Sequence, residues 1–367
     1  MGDVTLSTNS FTYDELATKY SNFMAPAAKV KLNGADAETT GMAFTSVRVS
    51  TSTSVDTDTA TVTIANAYDE VERDFTWTDK FALGNTIEVE LGYVDKLTTV
   101  FSGYITAVNY TFPREGTPSV VITGMDSSIK LMRGQKIETW TKKKISDIAK
   151  QIAGEHSLTP EVDDTGTQIP MLARGHQSDF EFLQNMAVAL NYEFFIVGKK
   201  MYFRKRFKSK TPVITLTYMK NLNEFSIEHN LSEQVSKVEV HGWDAKQQKE
   251  IKGSSAEVDK SNGHSKTGAN LLATMGGSNF IEHIYANVDS PQEANDLAKA
   301  IMNGRALRLV SGEGEVVGLP ELRAGVFVKL DGIGKNLNEA YYVSRATHIF
   351  DGSGYITQFQ VQGNVVK

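Results

Sequence analysis

The chain reads as mainly β with an α+β insert, and three observations predict that class. Alternating β-branched residues recur on both sides of a central segment. Within that segment the apolar spacing changes to the three-and-four of helices. The flanking regions also repeat one block. Tyr104-Ile105-Thr106-Ala107-Val108 is followed by Ile122-Thr123-Gly124, and Tyr342-Val343-Ser344-Arg345-Ala346 by Val361-Gln362-Gly363. From tyrosine to closing glycine the two stretches differ in length by a single residue. An alternating strand precedes each: Ile87, Val89 and Leu91 in the first, Val326, Val328 and Leu330 in the second. Those strands follow Gly84 and Gly325. Two related β units predict a duplicated structural module, not a single catalytic cleft.

Taken in order, residues 1–28 read as a polar arm with one short helix around Tyr13 to Phe23. Residues 29–126 read strand after strand. Val47, Val49 and Thr51 alternate, as do Ala60, Val62 and Ile64, a spacing that suggests a barrel or sandwich. Residues 127–222 form the insert. Ile145, Ile148, Ala149 and Ile152 make one helical stripe, with Gly154 near its end. Ser178 and Glu181 have capping-box spacing ahead of Phe182, Leu183, Met186, Ala187 and Leu190. Asn191 is a left-handed stop. Tyr192 to Val197, a turn at Gly198-Lys199, and Met201 to Arg204 read as a hairpin. Residues 223–367 form the second β unit, with strands at Phe225-Ser226-Ile227 and from Val235 to Gly242. Residues 244–277 are polar and Gly/Ser/Lys-rich and predict a long loop. A helix over 290–304 is capped by Ser290, has Pro291 at its first position and Glu293 completing the box, and ends at Gly304.

Length and composition bound the function. A chain of this size allows two or three domains, and an apolar share of 40% can fill their cores. The net charge of −6 argues against general binding to nucleic acid or anionic membranes. Absent cysteine excludes disulfides, thiolate metal sites and a cysteine nucleophile, and fits synthesis in the cytoplasm. The first residues carry Asp3, Asp14 and Glu15 and no apolar run, unlike a signal peptide. No stretch approaches the ~18 apolar residues of a membrane-crossing helix.

Sites for chemistry are sparse. Seven histidines lie at positions 156, 176, 229, 241, 264, 283 and 348, with no HxxxH or HxH pair to suggest zinc. Asp331-Gly332-Ile333-Gly334-Lys335 fails as a phosphate loop, because Lys329 and Asn336 stand where glycine and Ser/Thr are needed. The carboxylate pairs Asp163-Asp164 and Glu313/Glu315 sit among turn residues and read as solvated. No G-x-S-x-G elbow occurs. Lys199 to Lys210 is densely basic and interleaved with Tyr202, Phe203 and Phe207. Its alternation reads as a hairpin strand with one basic and one apolar face, a charged inter-subunit or lumen-facing surface ahead of a nucleic-acid groove. No catalytic, cofactor-binding or metal-binding residue is assigned, and no enzyme activity is expected.

The central segment carries a family signature. Ser178-Asp179-Phe180-Glu181-Phe182-Leu183, Asn191-Tyr192-Glu193-Phe194-Phe195 and Lys200-Met201-Tyr202-Phe203-Arg204 together resemble the helix-hairpin of the phage late control protein D family. That family includes tail baseplate hubs and the N-terminal part of VgrG, the type VI secretion spike. Val121-Ile122-Thr123-Gly124-Met125-Asp126 with Leu131-Met132-Arg133-Gly134 resembles the end of the family's first barrel. Lys144-Ile145-Ser146-Asp147-Ile148-Ala149 with Ile152-Ala153-Gly154 resembles its first insert helix. Tyr341 to His348 and Gly354 to Phe359 resemble its closing strands. The likeness runs from about Lys29 to Asn364.

The resemblance implies two tail-tube-like β-barrels flanking the helix-hairpin domain. It implies a homotrimer whose ring of six barrels joins a hexameric inner tube to a trimeric spike in a phage tail, tailocin or extracellular injection system. Partners would be the inner tube protein, a separate spike protein and baseplate wedge proteins. VgrG proteins continue into a further barrel and needle, whereas this sequence stops at Lys367, so no fused effector or lysozyme domain is expected. The arm before Lys29, outside the likeness, is expected to touch a neighbouring baseplate or tube protein. The competing readings are a cell-wall-degrading hydrolase and a carbohydrate- or receptor-binding module using Trp77, Trp140 and Trp243.

Overall fold

Side chains that alternate inward dictate the first unit, in which Val47, Val49, Ala60, Val62, Ile64, Ile87, Val89 and Leu91 are all fully buried. The computed structural model describes every residue except 1–3, 55, 246 and 277–278. Part of the arm (residues 1–3) and two positions of the expected loop (246 and 277) therefore lie outside the described residues. After helix α1 (Tyr13–Lys19) come β1 (Pro26–Leu32), β2 (Ala35–Asp36), β3 (Phe44–Ser52), β4 (Thr59–Ile64), β5 (Tyr68–Asp69), β6 (Asp74–Phe75), β7 (Thr86–Tyr93), β8 (Lys96–Thr111) and β9 (Ser119–Met125).

The insert contains α2 (Ser128–Leu131), β10 (Lys136–Lys143), α3 (Ile145–Glu155), β11 (Thr159–Val162), β12 (Ile169–Gln177), α4 (Asp179–Ala189), β13 (Tyr192–Val197) and β14 (Lys200–Lys205). The capping box of α4 is complete: Ser178 Oγ accepts from Glu181 N–H, and the Glu181 carboxylate accepts from Ser178 N–H. Asn191 ends that helix at φ 55°. Helices α3 and α4 pack with Trp140 and the hairpin residues Phe194, Met201 and Phe203 into a separate core.

The second unit follows as β15 (Pro212–Thr217), β16 (Leu222–His229), β17 (Lys237–Asp244), β18 (Lys249–Ser255), α5 (Gly268–Thr274), β19 (Ile281–Tyr285), α6 (Pro291–Ala306), β20 (Val310–Val317), β21 (Phe327–Asp331), β22 (Ala340–Asp351) and β23 (Gly354–Gly363). Strand β15 lies within the 127–222 segment assigned to the insert, yet it pairs with β21 in the main sheet.

Several expectations are corrected. The segment 244–277 is not one continuous loop, and among its described residues only 256–267 form a long irregular stretch. Strand β18 pairs with β17 from Val238/Ser255 to Asp244/Lys249, and α5 is capped by Thr267. Ile251 and Gly253 of β18 face α6, and a Cβ on Gly253 would sit 2.4 Å from the Ala294 backbone. The strand is glycine where the helix presses on it, so it carries little apolar signal. Helix α6 runs through Gly304 to Ala306, and Glu293 bonds the Asp289 N–H instead of closing a box on Ser290. The arm is not purely polar either. Leu16 and Tyr20 enter the main core, and Val4 packs on Phe195 and Val197.

The pairing of the strands makes the duplication explicit. β3, β4, β9, β8 and β7 lie side by side in that order, and β16, β20, β23, β22 and β21 lie in the corresponding order, all antiparallel. Both units carry the same two bulges. One falls between Phe44 and Ser46 and between Leu222 and Glu224. The other falls between Ile105 and Ala107 and between Val343 and Arg345. Gly84 and Gly325 are also equivalent. They take φ of 86° and 93° and donate to the carbonyls of Ile105 and Val343, both at 2.9 Å. The closing glycines are not equivalent: Gly124 faces Ile105, whereas Val343 faces Val361 and Gly363 faces Val310.

The two units do not stand apart as closed barrels. Among the described residues the pairing forms a thirteen-stranded sheet with no closing circuit. Strand β22 of the second unit pairs with β3 of the first, from Arg345/Ser52 to Asp351/Ser46, and merges the two halves.

Candidate functional site

The seam between β3 and β22 joins the two units through seven paired positions. Thr51 Oγ1 donates to the Ala346 carbonyl at 3.2 Å and accepts from Ala324 N–H at 3.0 Å. Behind it the buried Asp58 carboxylate accepts from Arg323 at 2.6 Å and from Ser52 N–H at 3.0 Å. Burial pushes the Asp58 carboxyl up despite that guanidinium. Burial, and then the Asp58 charge, push Asp126 up to about 7. His348 lies opposite Val49 on the seam and is 1% exposed. Burial, and then the Arg323 charge, lower it to about 3, so it is a neutral packing residue bonded to the Tyr355 hydroxyl at 2.8 Å.

Each partner in this seam has a counterpart that lacks one. Strand β16, the equivalent of β3, pairs only with β20 among the described residues. In β8, the equivalent of β22, residues Ala107 to Thr111 pair only with β9 among the described residues. Unpaired backbone N–H and C=O groups along such edges invite another strand. Beside the β8 edge stands an aromatic cluster. Phe75 lies 4.7 Å from Tyr110 and 5.6 Å from Phe112, ring to ring, and Phe112 is 64% exposed. On β16, Phe225 and Ile227 are half-buried, with Phe225 stacked on Phe359. A polar groove of about 460 Å³ lies over this end of the sheet, lined by residues including Arg48, Glu224, Glu313, Glu315 and Arg345.

The chemistry weighed in the sequence is placed as follows. Asp163 is tied to Lys208, and Asp164 to Lys144 at 3.0 Å. Glu313 and Glu315 line the open groove. Three members of the basic run are ion-paired: Arg204 on Glu193 at 2.6 Å, Lys200 on Glu161 at 3.5 Å, and Lys208 on Asp163. Its second face is covered by Phe195, Tyr202 and Val4, so the two-faced strand expected there has no open basic face at Arg204. Trp140 is buried under Arg174, whereas Trp243 is 63% exposed. Gly332 and Gly334 sit in the connection from β21 to β22 with positive φ, as a turn requires. His241 and His283, forty-two positions apart, have ring nitrogens 3.2 Å apart, a proximity no local spacing could reveal. Among the described residues no helix is long and apolar enough to cross a membrane.

Comparison with solved structures places the fold. The 43 kDa tail protein of prophage MuSo2 from Shewanella oneidensis superposes with a TM-score of 0.71 at 14% identity, over 92% of this chain and 98% of that one. A tail protein from Neisseria meningitidis gives 0.68 at 12% identity, over 93% and 97%. An Escherichia coli component of the type VI secretion system, described as similar to T4 bacteriophage tail proteins, gives 0.57 at 8% identity, over 88% and 74%. The likeness to phage tail and VgrG-type proteins expected from the sequence is borne out at the level of fold. No curated protein matches the chain in sequence. Residues 24–351 match the model of the family described as Alg8 N-terminal domain, and the chain belongs to that family.

Proposed function

We propose that this chain is the structural baseplate hub of a contractile injection machine: a homotrimer that joins a hexameric inner tube to a trimeric spike. The observation that carries the reading is the duplicated seam. In each chain β3 of the first unit is closed by β22 of the second, while the equivalent edges of β16 and β8 have no such strand among the described residues. Repeating the seam between chains pairs β16 of one copy with β8 of the next. The matching bulges set the register. Phe225 would face Phe112 of the neighbour, Ile227 would face Tyr110, and Asn230 would face Ala107, by equivalence with Val47/Phe350, Val49/His348 and Ser52/Arg345. Phe225/Phe112 and Ile227/Tyr110 are aromatic or β-branched pairs, the kind that stabilises cross-strand contacts.

Three chains then alternate six related units around one axis, a closed ring with heterologous interfaces. Such a ring matches sixfold symmetry on one face and threefold on the other. The role is mechanical: it binds tube and spike and nucleates tube assembly, and no step requires a catalytic group. Assembly would place the protein in a phage-tail-like particle, with wedge proteins around it. The tail and VgrG folds of the solved relatives support the reading.

The test is sedimentation and native mass measurement of the full chain, alone and with tube and spike proteins encoded beside it. A trimer that binds both is expected. A monomer at high concentration with affinity for neither would sink the proposal. Lysis of peptidoglycan by the chain alone would favour the hydrolase reading instead.

A further inference from the structure

The segment between β16 and β20 has no counterpart in the first unit, where β3 and β4 are joined directly by residues 53–58. It folds as a small three-stranded sheet, ordered β18-β17-β19, with α6 on one side. Val238 and Val240 of β17 point into α6. Glu239 and His241 therefore point the other way, because successive residues of a strand face opposite sides. Strand β19 runs parallel to β17 and sets His283 directly beside Glu239.

From these residues we propose a binding site for a late first-row divalent metal ion, of the zinc or nickel type, formed by Glu239, His241 and His283. The three ligand atoms already converge. His241 Nε2 is 3.2 Å from His283 Nδ1. Glu239 Oε2 is 3.9 Å from the first and 3.7 Å from the second. That triangle has a point about 2.1 Å from all three atoms, the usual Zn–N and Zn–O distance. Imidazole donors select this class of metal over magnesium or calcium.

The surrounding shell fits too. Glu250 Oε1 lies 2.6 Å from His241 Nδ1, so Nδ1–H donates to the carboxylate and the Nε2 lone pair is turned toward the site. Lys237 holds the other oxygen of Glu239 at 2.9 Å and fixes the carboxylate's orientation. Lys252 lies 2.9 Å from Oε2, the ligating oxygen, and its half-exposed side chain must swing aside when the ion binds. It acts as a resident competitor. Tyr285 stacks on His241, and His283 is half exposed, so the site has three protein ligands and a position open to water.

Tag-free full chain would be titrated with zinc and with nickel chloride by calorimetry, with bound metal counted after dialysis. One ion per chain is expected. His241→Ala and His283→Ala should abolish binding while leaving the circular dichroism spectrum and the melt unchanged. Glu250→Gln should weaken it about 10–100-fold. Lys252→Ala should tighten it. Failure of the unaltered chain to retain metal, equal binding by the double histidine variant, or no gain from Lys252→Ala would overturn the assignment.

Discussion

Thr106 and Ser344 are the same residue of a duplicated strand. Each is the extra residue of a bulge, one between Ile105 and Ala107 opposite β9, the other between Val343 and Arg345 opposite β23. A bulge flips the facing of every side chain beyond it, so a shared bulge preserves which residues point inward in both units. The same follows for Thr45 and Asn223. Two matched pairs of bulges are harder to reach by convergence than matched strands, and they fix the register used for the proposed interface.

That register predicts a clean separation of folding from assembly. Phe112 is largely exposed at the open β8 edge. Phe112→Asp should cost the single chain no more than about 1.5 kcal/mol, the worth of an exposed ring contact such as that with Phe75. It should abolish or strongly weaken the trimer in sedimentation, since the charge would face Phe225 of the neighbour. Preserved trimer with a preserved melt would rule out this edge.

Asp126 predicts the pH dependence. Its folded-state pKa of about 7 lies above the ordinary carboxyl value, through burial and the charge of Asp58. The folded chain therefore binds a proton that the unfolded chain has released. This contribution to stability is fully present below about pH 4 and is lost as pH rises through 7. Asp126→Asn, which keeps the oxygen that accepts from Ser128 N–H, should melt higher than the original chain at pH 8. The difference should shrink to nothing by pH 4 in a melting series.

Arg174 anchors the insert. Its side chain is fully buried, bonded to Asp179, and lies over the rings of Trp140 and Phe182 at 5.4 and 5.6 Å. Arg174→Ala would leave a buried carboxylate with only His156 at 2.7 Å and Lys136 at 3.4 Å. A loss of about 3–5 kcal/mol is expected in denaturant unfolding. Arg174→Lys should recover only part of it, because a lysine cannot lie flat over two rings or reach Asp179 and Glu138 with two fixed donors, as the guanidinium does.

Gly84 and Gly325 offer a matched pair. Both need left-handed backbone, which costs a side-chain-bearing residue about 1–2 kcal/mol. A Cβ on Gly84 meets nothing within 4 Å, whereas one on Gly325 comes within 3.2 Å of Phe195. Gly84→Ala should show the conformational cost alone, and Gly325→Ala should cost more. Equal melting shifts would mean the Phe195 ring yields freely.

The legible parts of this fold were those where one residue type has one physical meaning. Val47, Val49, Ala60, Val62 and Ile64 could only be an inward-facing pair of strands, and Ser178 with Glu181 marked a helix start that the backbone honours. The tyrosine repeat pointed to matching strands, and the strand pairing bears that out. What was hidden depends on partners far away in sequence. Strand β18 is buried through Gly253, a residue that signals a loop until α6 is known to lie on it. Leu16 and Tyr20 looked isolated in a polar arm because their apolar neighbours, such as Tyr93, come from other strands. The pairing of β22 with β3, which turns two units into one sheet, has no local signature at all. Nor does the meeting of His241 and His283, which depends on β17 and β19 running parallel.

The seam between β3 and β22 differs from its proposed counterpart between chains in one respect: the chain itself tethers it. In a ring of six units, alternate joints would form during folding, with no loss of translational freedom and no dependence on concentration. The remaining joints would be the only ones that dilution could open. Such a ring would come apart into intact pairs of units and not into singles, and its weak points would sit at threefold spacing, in step with the spike instead of the tube.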